Sequence, residues 1–99
     1  MSCLVKWTER ARVDLKRLYA YLLDRDEDAA ARVLEIITQS VALLEDFPFS
    51  CRKALGGNAL LREMLVPFGS SGYVVLFRID NETSVTILAI RHQREDDYH

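Results

Sequence analysis

The chain has 99 residues, of which 49% are apolar or aromatic and 28% are charged. This length predicts a single domain, 1–99, with room for one hydrophobic core. Lys and Arg number 13 and Asp and Glu number 15, so the formal net charge is −2. The chain therefore lacks the basic excess that sequence-independent binding to nucleic acid requires, and we expect no direct sequence-specific DNA binding by it.

The sequence also argues against a membrane protein and a secreted one. No apolar run approaches the roughly 20 residues of a membrane-spanning helix. The N-terminus shows no charged start followed by an apolar stretch and a cleavage site. Cys3 and Cys51 are the two cysteines and form no CxxC motif. Two thiols in a reducing compartment are the simplest interpretation, and a single disulfide stays open. We expect a cytoplasmic protein.

The N-terminal part predicts a strand followed by a helix. The stretch 4–7 is short and rich in apolar residues, and Thr8 followed by Glu9 is typical of a helix N-cap. From there to Leu23 apolar residues recur at steps of three and four. This spacing predicts a helix with one face in the core and the rest in water.

A second helix is predicted after an acidic turn. The run 24–28 has no apolar residue and offers several N-cap candidates. From Ala29 to Asp46 the apolar residues form a stripe that is wider than packing against one sheet needs. Two interpretations stay open: a partner covers part of the stripe, or the helix is wedged between its partner helix and the sheet.

Three strand candidates follow the helix stop at Phe47-Pro48-Phe49: 60–66, 73–79 and 84–90. The middle one is almost wholly apolar, as a central strand buried on both faces would be. The intervening loops are short enough for an antiparallel meander. The order β-α-α-β-β-β predicts a small α+β domain: an N-terminal strand, an αα-hairpin and a three-stranded antiparallel meander, with the helices packed on one face of the sheet.

Motifs for catalysis or metal binding are weak in this sequence. Ser70 or Ser71 with His92 lacks a nucleophile-elbow pattern, and Ser-Ser-Gly is ordinary turn composition. Metal-ligating residue types cluster without a recognised ligand spacing, at His92, Asp96, Asp97 and His99. We expect no metal, no cofactor and no catalytic residue.

A set of cationic and aromatic residues could converge at one end of the sheet and form a site that cleaves RNA. Arginine can stabilise charge on a phosphate, and an imidazole or a phenol can move protons. The alternative is that Arg62 pairs with Glu63 and Arg78 with Asp80 as weak ion pairs at strand ends. The residues of the set are Arg62, Arg78, Arg91, His92, Arg94 and Tyr98.

Two strings resemble the ParE branch of the RelE/ParE superfamily of type II toxin–antitoxin toxins. They are REMLVPFGSSGY at 62–73 and VTILAIRHQRE at 85–95. The segment WTERARVDL at 7–15 and the Phe47-Pro48 pair before a loop also look like the helical hairpin of that family. The resemblance covers essentially the whole chain.

The resemblance implies a cytoplasmic toxin that is neutralised by a cognate antitoxin, a ParD-like protein with a ribbon-helix-helix domain. The antitoxin's C-terminal segment would fold onto the toxin by helix-in-groove docking and strand addition. We expect that apolar residues of both helices form the groove or the core beneath it. These residues are Leu15, Leu18, Tyr19, Leu22, Val33 and Ile37.

The resemblance also implies a target. Members of the ParE branch poison DNA gyrase and need no catalytic residue, whereas RelE-type members are ribosome-dependent mRNA endonucleases. Gly69 stands where such an endonuclease tends to have a catalytic arginine, and an acidic chain favours a protein target. Gyrase inhibition is therefore our leading interpretation, with RNA cleavage and a non-toxic antitoxin-binding module as alternatives. The expected target contacts are Arg62, Arg91, His92, Arg94 and Tyr98.

Overall fold

A computed structural model describes residues 3–54 and 58–95 of the chain. Within these ranges the chain forms two α-helices and five β-strands. In chain order they are β1 (Leu4–Trp7), α1 (Glu9–Leu23), α2 (Glu27–Ala42), β2 (Arg52–Lys53), β3 (Leu61–Phe68), β4 (Ser71–Asn81) and β5 (Ser84–His92). Two short 3-10 turns connect α2 to β2, at Leu43–Glu45 and Pro48–Ser50.

Side-chain caps fix where both helices begin. The hydroxyl oxygen of Thr8 accepts a hydrogen bond from the Ala11 N–H at 3.1 Å, and the Asp26 carboxylate accepts one from the Ala29 N–H at 3.1 Å. Each bond satisfies a donor that the first turn of a helix leaves unpaired. The Thr8 hydroxyl also donates to the Ile87 carbonyl oxygen at 2.9 Å, which ties the start of α1 to β5. The predicted cap at Thr8 is confirmed, and the second cap lies within the acidic run.

The five strands form one mixed sheet in the order β1-β5-β4-β3-β2. β1 runs parallel to β5, and the other neighbours are antiparallel. The predicted α+β fold is confirmed, with one addition. Arg52 and Lys53 form an edge strand that pairs with Glu63 and Arg62. The sequence does not predict this strand, because two polar residues inside a loop carry no periodicity.

The helices cover one face of the sheet and enclose the core. Val74 and Val75 of β4 point to opposite faces and are 1% and 0% exposed, which confirms a central strand buried on both sides. The core residues on the helices are Ala11, Leu18, Val33, Ile37, Val41 and Leu44. Those on the strands are Met64, Val66, Tyr73, Val75, Phe77, Ile79, Val85, Ile87 and Ile90.

The wide apolar stripe of α2 is explained mainly by its position between α1 and the sheet. Ala30, Val33 and Ile37 are fully buried there. Leu34 lies within the stripe and Leu43 extends it sideways, and both remain exposed. The wedged interpretation therefore accounts for most of the stripe, and these two leucines are the part that it leaves uncovered.

A buried carboxylate joins α1 to β5 at the point where β1 ends. The last residue of β1, Trp7, pairs with Ile87, so in the described sheet no strand flanks β5 on that side beyond Ile87. There Asp14, which is 3% exposed, accepts a hydrogen bond from the buried Ile90 N–H at 2.9 Å. Arg17 lies 3.8 Å from the same carboxylate. Because a buried backbone N–H needs a partner, Asp14 takes the place that a strand would otherwise fill.

The face of the sheet that the helices leave open carries an ionic network around Asp80. Its carboxylate accepts a hydrogen bond from the Thr86 hydroxyl at 2.6 Å and lies 2.7 Å from Arg78 and 3.4 Å from Lys6. The bond from Thr86 is the main reason why the pKa of Asp80 falls from 3.8 to about 2; Arg78 and Lys6 lower it further, against the effect of burial. The predicted pairing of Arg78 with Asp80 is confirmed.

Replacing Asp14 is expected to destabilise the fold. In Asp14→Ala the Ile90 N–H stays buried without a partner, which costs about 1–3 kcal/mol of unfolding free energy. Asp14→Asn keeps an acceptor oxygen and should recover part of the loss. Urea denaturation measures the difference, with Lys16→Ala on the exposed side of α1 as the control. Equal stability of Asp14→Ala and the control would contradict the assigned role.

Protonation of Asp80 is expected to weaken the fold in acid. Its folded-state pKa of about 2 lies below the ordinary 3.8. The carboxylate therefore contributes stability above the ordinary pKa, and the contribution is lost as the pH falls from about 4 to about 2. In urea titrations, the free-energy difference between the wild-type chain and Asp80→Asn should shrink over this range. Thr86→Val should shift the loss to higher pH. A difference that does not change with pH would rule out this role.

Candidate functional site

A cavity of about 470 Å³ opens between α1 and the end of the sheet where β4 begins and β5 ends. One wall is the apolar and aromatic side of α1, and the other carries polar side chains of the strands and of the turn after β5. The residues that define this helix–sheet cavity are Arg17, Leu18, Tyr21, Leu22, Tyr73, His92, Arg94 and Glu95.

Four of the residues expected at the antitoxin groove lie on α1. Leu18 and Leu22 line the helix–sheet cavity. Leu15 is half-buried and packs against the core, and Tyr19 is half-buried as well. The spacing of three and four residues along α1 places the two lining leucines on one helical face, one turn apart.

The two residues expected on α2 lie deeper. Val33 and Ile37 are both 0% exposed and belong to the core between the helices and the sheet. They are not part of the surface of the helix–sheet cavity.

His92 lies on the polar wall, and its hydrogen bonds determine which nitrogen of the neutral ring carries the proton. The Arg94 N–H donates to Nδ1 at 3.1 Å, so Nδ1 carries a lone pair. The proton of the neutral ring is then on Nε2, which lies 3.1 Å from the Ser71 hydroxyl oxygen and donates to it. A serine that accepts from the imidazole is not deprotonated by it. The Ser71–His92 pair is therefore no nucleophilic relay, as the sequence indicates.

Tyr73 lies beside His92 on the same wall. The two rings meet edge to face with centroids 5.3 Å apart. Burial raises the pKa of the Tyr73 phenol, and the nearby Tyr21 phenol adds to the increase. The hydroxyl of Tyr73 therefore keeps its proton at neutral pH and can offer a hydrogen bond, but it is a poor base.

The turn after β5 is held by several bonds to Glu95. The Glu95 carboxylate accepts the His92 N–H at 3.0 Å and lies 3.3 Å from the guanidinium of Arg17 on α1. The Arg91 guanidinium donates to the Glu95 carbonyl oxygen at 2.8 Å. Arg91 is thus engaged in shaping the turn, whereas Arg94 is exposed at the rim of the cavity.

Arg62 lies away from this cavity, so the expected convergence at one end of the sheet is wrong for it. It pairs with Phe77 of β4, whereas His92 pairs with Tyr73, which lies four residues earlier in the same strand. Four residues of a strand span about 13 Å. The sequence could not reveal this separation, because it depends on the register of three strands.

Arg62 instead clamps the segment before β3. Its guanidinium donates to the carbonyl oxygens of Ala59, Phe49 and Cys51 at 2.8, 3.1 and 2.9 Å. The expected pairing of Arg62 with Glu63 is also wrong. Glu63 pairs with Arg52 of the edge strand at 3.1 Å, because the antiparallel register places those two residues opposite each other.

The remaining expected residues fall partly outside the described ranges. Tyr98 lies there, as do three members of the candidate metal cluster: Asp96, Asp97 and His99. Within residues 3–54 and 58–95, no three His, Cys, Asp or Glu side chains are arranged to hold a metal ion. In the same ranges, neither helix is long and apolar enough to cross a membrane.

A second groove of about 390 Å³ lies between the end of α2 and β3. Its wall includes Leu43, Phe47 and Leu65, all of them exposed, and the thiol of Cys51. Burial raises the pKa of that thiol, although Arg62 opposes the effect, so the thiol is a weak nucleophile. Cys3 and Cys51 are both free, and no disulfide forms between them.

The predictions from the sequence do not include Arg17 and Tyr21 among the site residues, although both line the helix–sheet cavity. A signal was present, because Asp14, Arg17 and Tyr21 follow one another at steps of three and four and so share a face of α1. Because Asp14 is an acidic residue in line with the apolar face of α1, its position indicates a buried hydrogen bond.

Comparison with known proteins decides the family. The model of the ParE toxin of the type II toxin–antitoxin system parDE matches residues 5–97. The chain belongs to this family. It is therefore a toxin of a type II toxin–antitoxin system, and the resemblance seen in the strings at 62–73 and 85–95 is confirmed.

Two of the similar proteins carry RelE names. Toxin RelE1 of Caulobacter vibrioides is 34% identical over 95 residues, which is 96% of this chain and 98% of that protein. Toxin RelE3 of the same organism is 36% identical over 87 residues, 87% of this chain and 89% of that protein.

Solved structures show the same fold. A chain of the chromosomal ParDE system from P. aeruginosa superposes with a TM-score of 0.72 at 18% identity, covering 92% of this chain and 96% of that one. A chain of the toxin–antitoxin complex RelBE2 from Mycobacterium tuberculosis superposes with a TM-score of 0.59 at 26% identity, covering 94% and 100%.

Proposed function

We propose that this toxin acts in the cytoplasm by inhibiting DNA gyrase and that it uses no catalytic residue of its own. The observation that supports this is the state of the proton-transfer groups in the helix–sheet cavity. His92 donates to Ser71, Tyr73 keeps its proton, and the Glu95 carboxylate is engaged by Arg17 and by a backbone N–H. Cleavage of RNA needs a group ready to take a proton and cations ready to stabilise charge. The two free thiols fit a reducing compartment.

Gly69 adds to this argument. It turns the chain between β3 and β4 with φ of +62°, in the left-handed region that side chains other than glycine rarely adopt. An arginine at this position would be strained in this backbone. The turn therefore carries no cation at the position where a RelE-type endonuclease tends to have its arginine.

The alternative function is a ribosome-dependent mRNA endonuclease of the RelE type. The observation that favours it is the similarity to two relatives named RelE1 and RelE3, at 34% and 36% identity. In that case Arg94 at the rim and Tyr98 would act on RNA.

We further propose that a ParD-like antitoxin places an amphipathic segment in the helix–sheet cavity. Leu18, Tyr21 and Leu22 offer an apolar wall of the kind that receives one face of a helix. Opposite them, Arg94 offers an exposed cation and Tyr73 a phenol. An apolar wall that faces a cation and a phenol suits an antitoxin segment with apolar residues on one side and a carboxylate beside them.

A supercoiling assay with purified gyrase tests the target. We expect the chain to inhibit supercoiling and to accumulate cleaved DNA. Arg94→Ala should weaken the inhibition about tenfold, the cost of truncating one good interface contact. Arg12→Ala, an exposed arginine on α1 outside the cavity, is the matched control. Unchanged supercoiling at excess toxin, together with cleavage of ribosome-bound message, would replace this proposal by the endonuclease.

Binding of the antitoxin encoded beside this toxin tests the cavity. Leu22→Lys places a charge on the apolar wall and should weaken binding about tenfold or more. Leu23→Lys changes the neighbouring residue, which is exposed and does not line the cavity, and should leave the affinity almost unchanged. Calorimetry measures both. Equal affinities of the two variants, or unchanged hydrogen exchange along α1 on antitoxin binding, would exclude this site.

A further inference from the structure

At the C-terminal rim of the helix–sheet cavity, the Arg94 end of the turn after β5 is held by an uncharged imidazole. Nδ1 of His92 accepts the Arg94 N–H at 3.1 Å, two residues further along the chain. Nε2 lies 3.1 Å from the Ser71 hydroxyl oxygen, to which it donates. One ring nitrogen is thus used as an acceptor and the other as a donor. Only the neutral imidazole offers that combination, because the protonated ring has two donors and no acceptor.

The groups around the ring do not decide the issue by charge alone. Three are cationic, one is anionic and two are phenols; the guanidinium of Arg17 lies 3.3 Å from the Glu95 carboxylate, and that of Arg91 lies 3.4 Å from the His92 carbonyl oxygen. The contact at Nδ1 determines what a second proton does to the Arg94 end of the turn. The groups are Arg17 and Tyr21 from α1, Tyr73 from β4, Arg91 from β5, and Arg94 and Glu95 from the turn.

We propose that the Arg94 end of the turn 92–95 responds to a proton: it is held while His92 is neutral and released when the imidazole takes a second proton, whereas the bonds of Glu95 keep the rest of the turn in place. A proton on Nδ1 converts the acceptor into a donor that faces the Arg94 N–H, so their hydrogen bond is lost and two donors oppose each other. Histidine is the side chain that ordinarily changes charge between about pH 5 and pH 8. The guanidinium of Arg94, which lies on the rim, moves with the released Arg94 backbone.

Protonation of His92 changes the rim of the cavity without changing the hydrophobic core. His92 and Arg94 stand at the end of β5, whereas the bond between Asp14 and Ile90 holds α1 further back along the strand. Release of the Arg94 end of the turn therefore changes one polar edge of the cavity and leaves its apolar wall in place. This property belongs to the chain itself and does not rest on the proposed gyrase or antitoxin functions.

Nuclear magnetic resonance on the isolated, nitrogen-15-labelled chain tests the proposal. The chemical shifts of the two ring nitrogens of His92 report which one carries the proton. At about pH 8 we expect the proton on Nε2. Exchange of the Arg94 amide hydrogen, corrected for its intrinsic pH dependence, should be about tenfold more protected at pH 8 than at pH 5, the equivalent of one lost hydrogen bond. The midpoint should coincide with the titration of the ring.

Two variants at position 92 distinguish the effect of protonation from the effect of replacing the side chain. His92→Asn keeps an acceptor close to the place of Nδ1, as in an Asx turn, and does not titrate. It should protect the Arg94 amide equally at both pH values. His92→Gln moves the amide group further out and should leave the Arg94 amide unprotected at both. Ser71→Ala removes the partner of Nε2 and should leave the pH dependence in place.

Three results would overturn the proposal. The first is a proton on Nδ1 at pH 8. The second is equal protection of the Arg94 amide at pH 5 and pH 8 in the wild-type chain. The third is the same pH dependence in His92→Asn as in the wild-type chain, because the proton would then act elsewhere.

Discussion

The bond between the Asp14 carboxylate and the Ile90 N–H is the constraint on which the rest of the site depends. β1 pairs with β5 only as far as Ile87, so the second half of β5 needs a different neighbour. α1 fills that place, and Asp14 is the residue by which it does so. Buried backbone groups must be paired, which makes this carboxylate a structural part of the sheet. Because Asp14 fixes α1 along β5, the turns of α1 that follow Asp14 face the C-terminal end of β5.

The helix–sheet cavity follows from that arrangement. Leu18 and Leu22 lie one and two turns beyond Asp14 on the same side of α1, opposite Tyr73 and His92. Arg17 then reaches the Glu95 carboxylate and fixes the turn after β5 to the helix. The cavity is therefore bounded by elements that are bonded to one another. Its shape is a consequence of the way the sheet is completed, and its chemistry comes from a few polar residues at the strand end.

The sequence predicts most of the fold and less of the site. Periodicity and caps are local signals, so the N-cap at Thr8, the acidic turn and the buried central strand could be inferred from neighbouring residues alone. The two-residue β2 has no such signal. Arg62 was misplaced because its role depends on register, which is a relation between distant segments. In the fold it binds the Phe49 and Cys51 carbonyl oxygens, and no pattern in the sequence indicates a guanidinium that serves backbone oxygens.

The arginines show why a charged string is a weak guide to chemistry. Arg62 binds carbonyl oxygens, Arg78 belongs to the network of Asp80, and Arg91 shapes the turn before Glu95. A guanidinium held by several acceptors cannot move to a developing negative charge without breaking those bonds. Arg94 is different, since it is exposed at the cavity rim. In such a toxin, recognition of a protein surface requires exposed side chains, whereas cleavage of RNA requires several cations directed at one phosphate. The arrangement of these four arginines satisfies the first requirement better than the second.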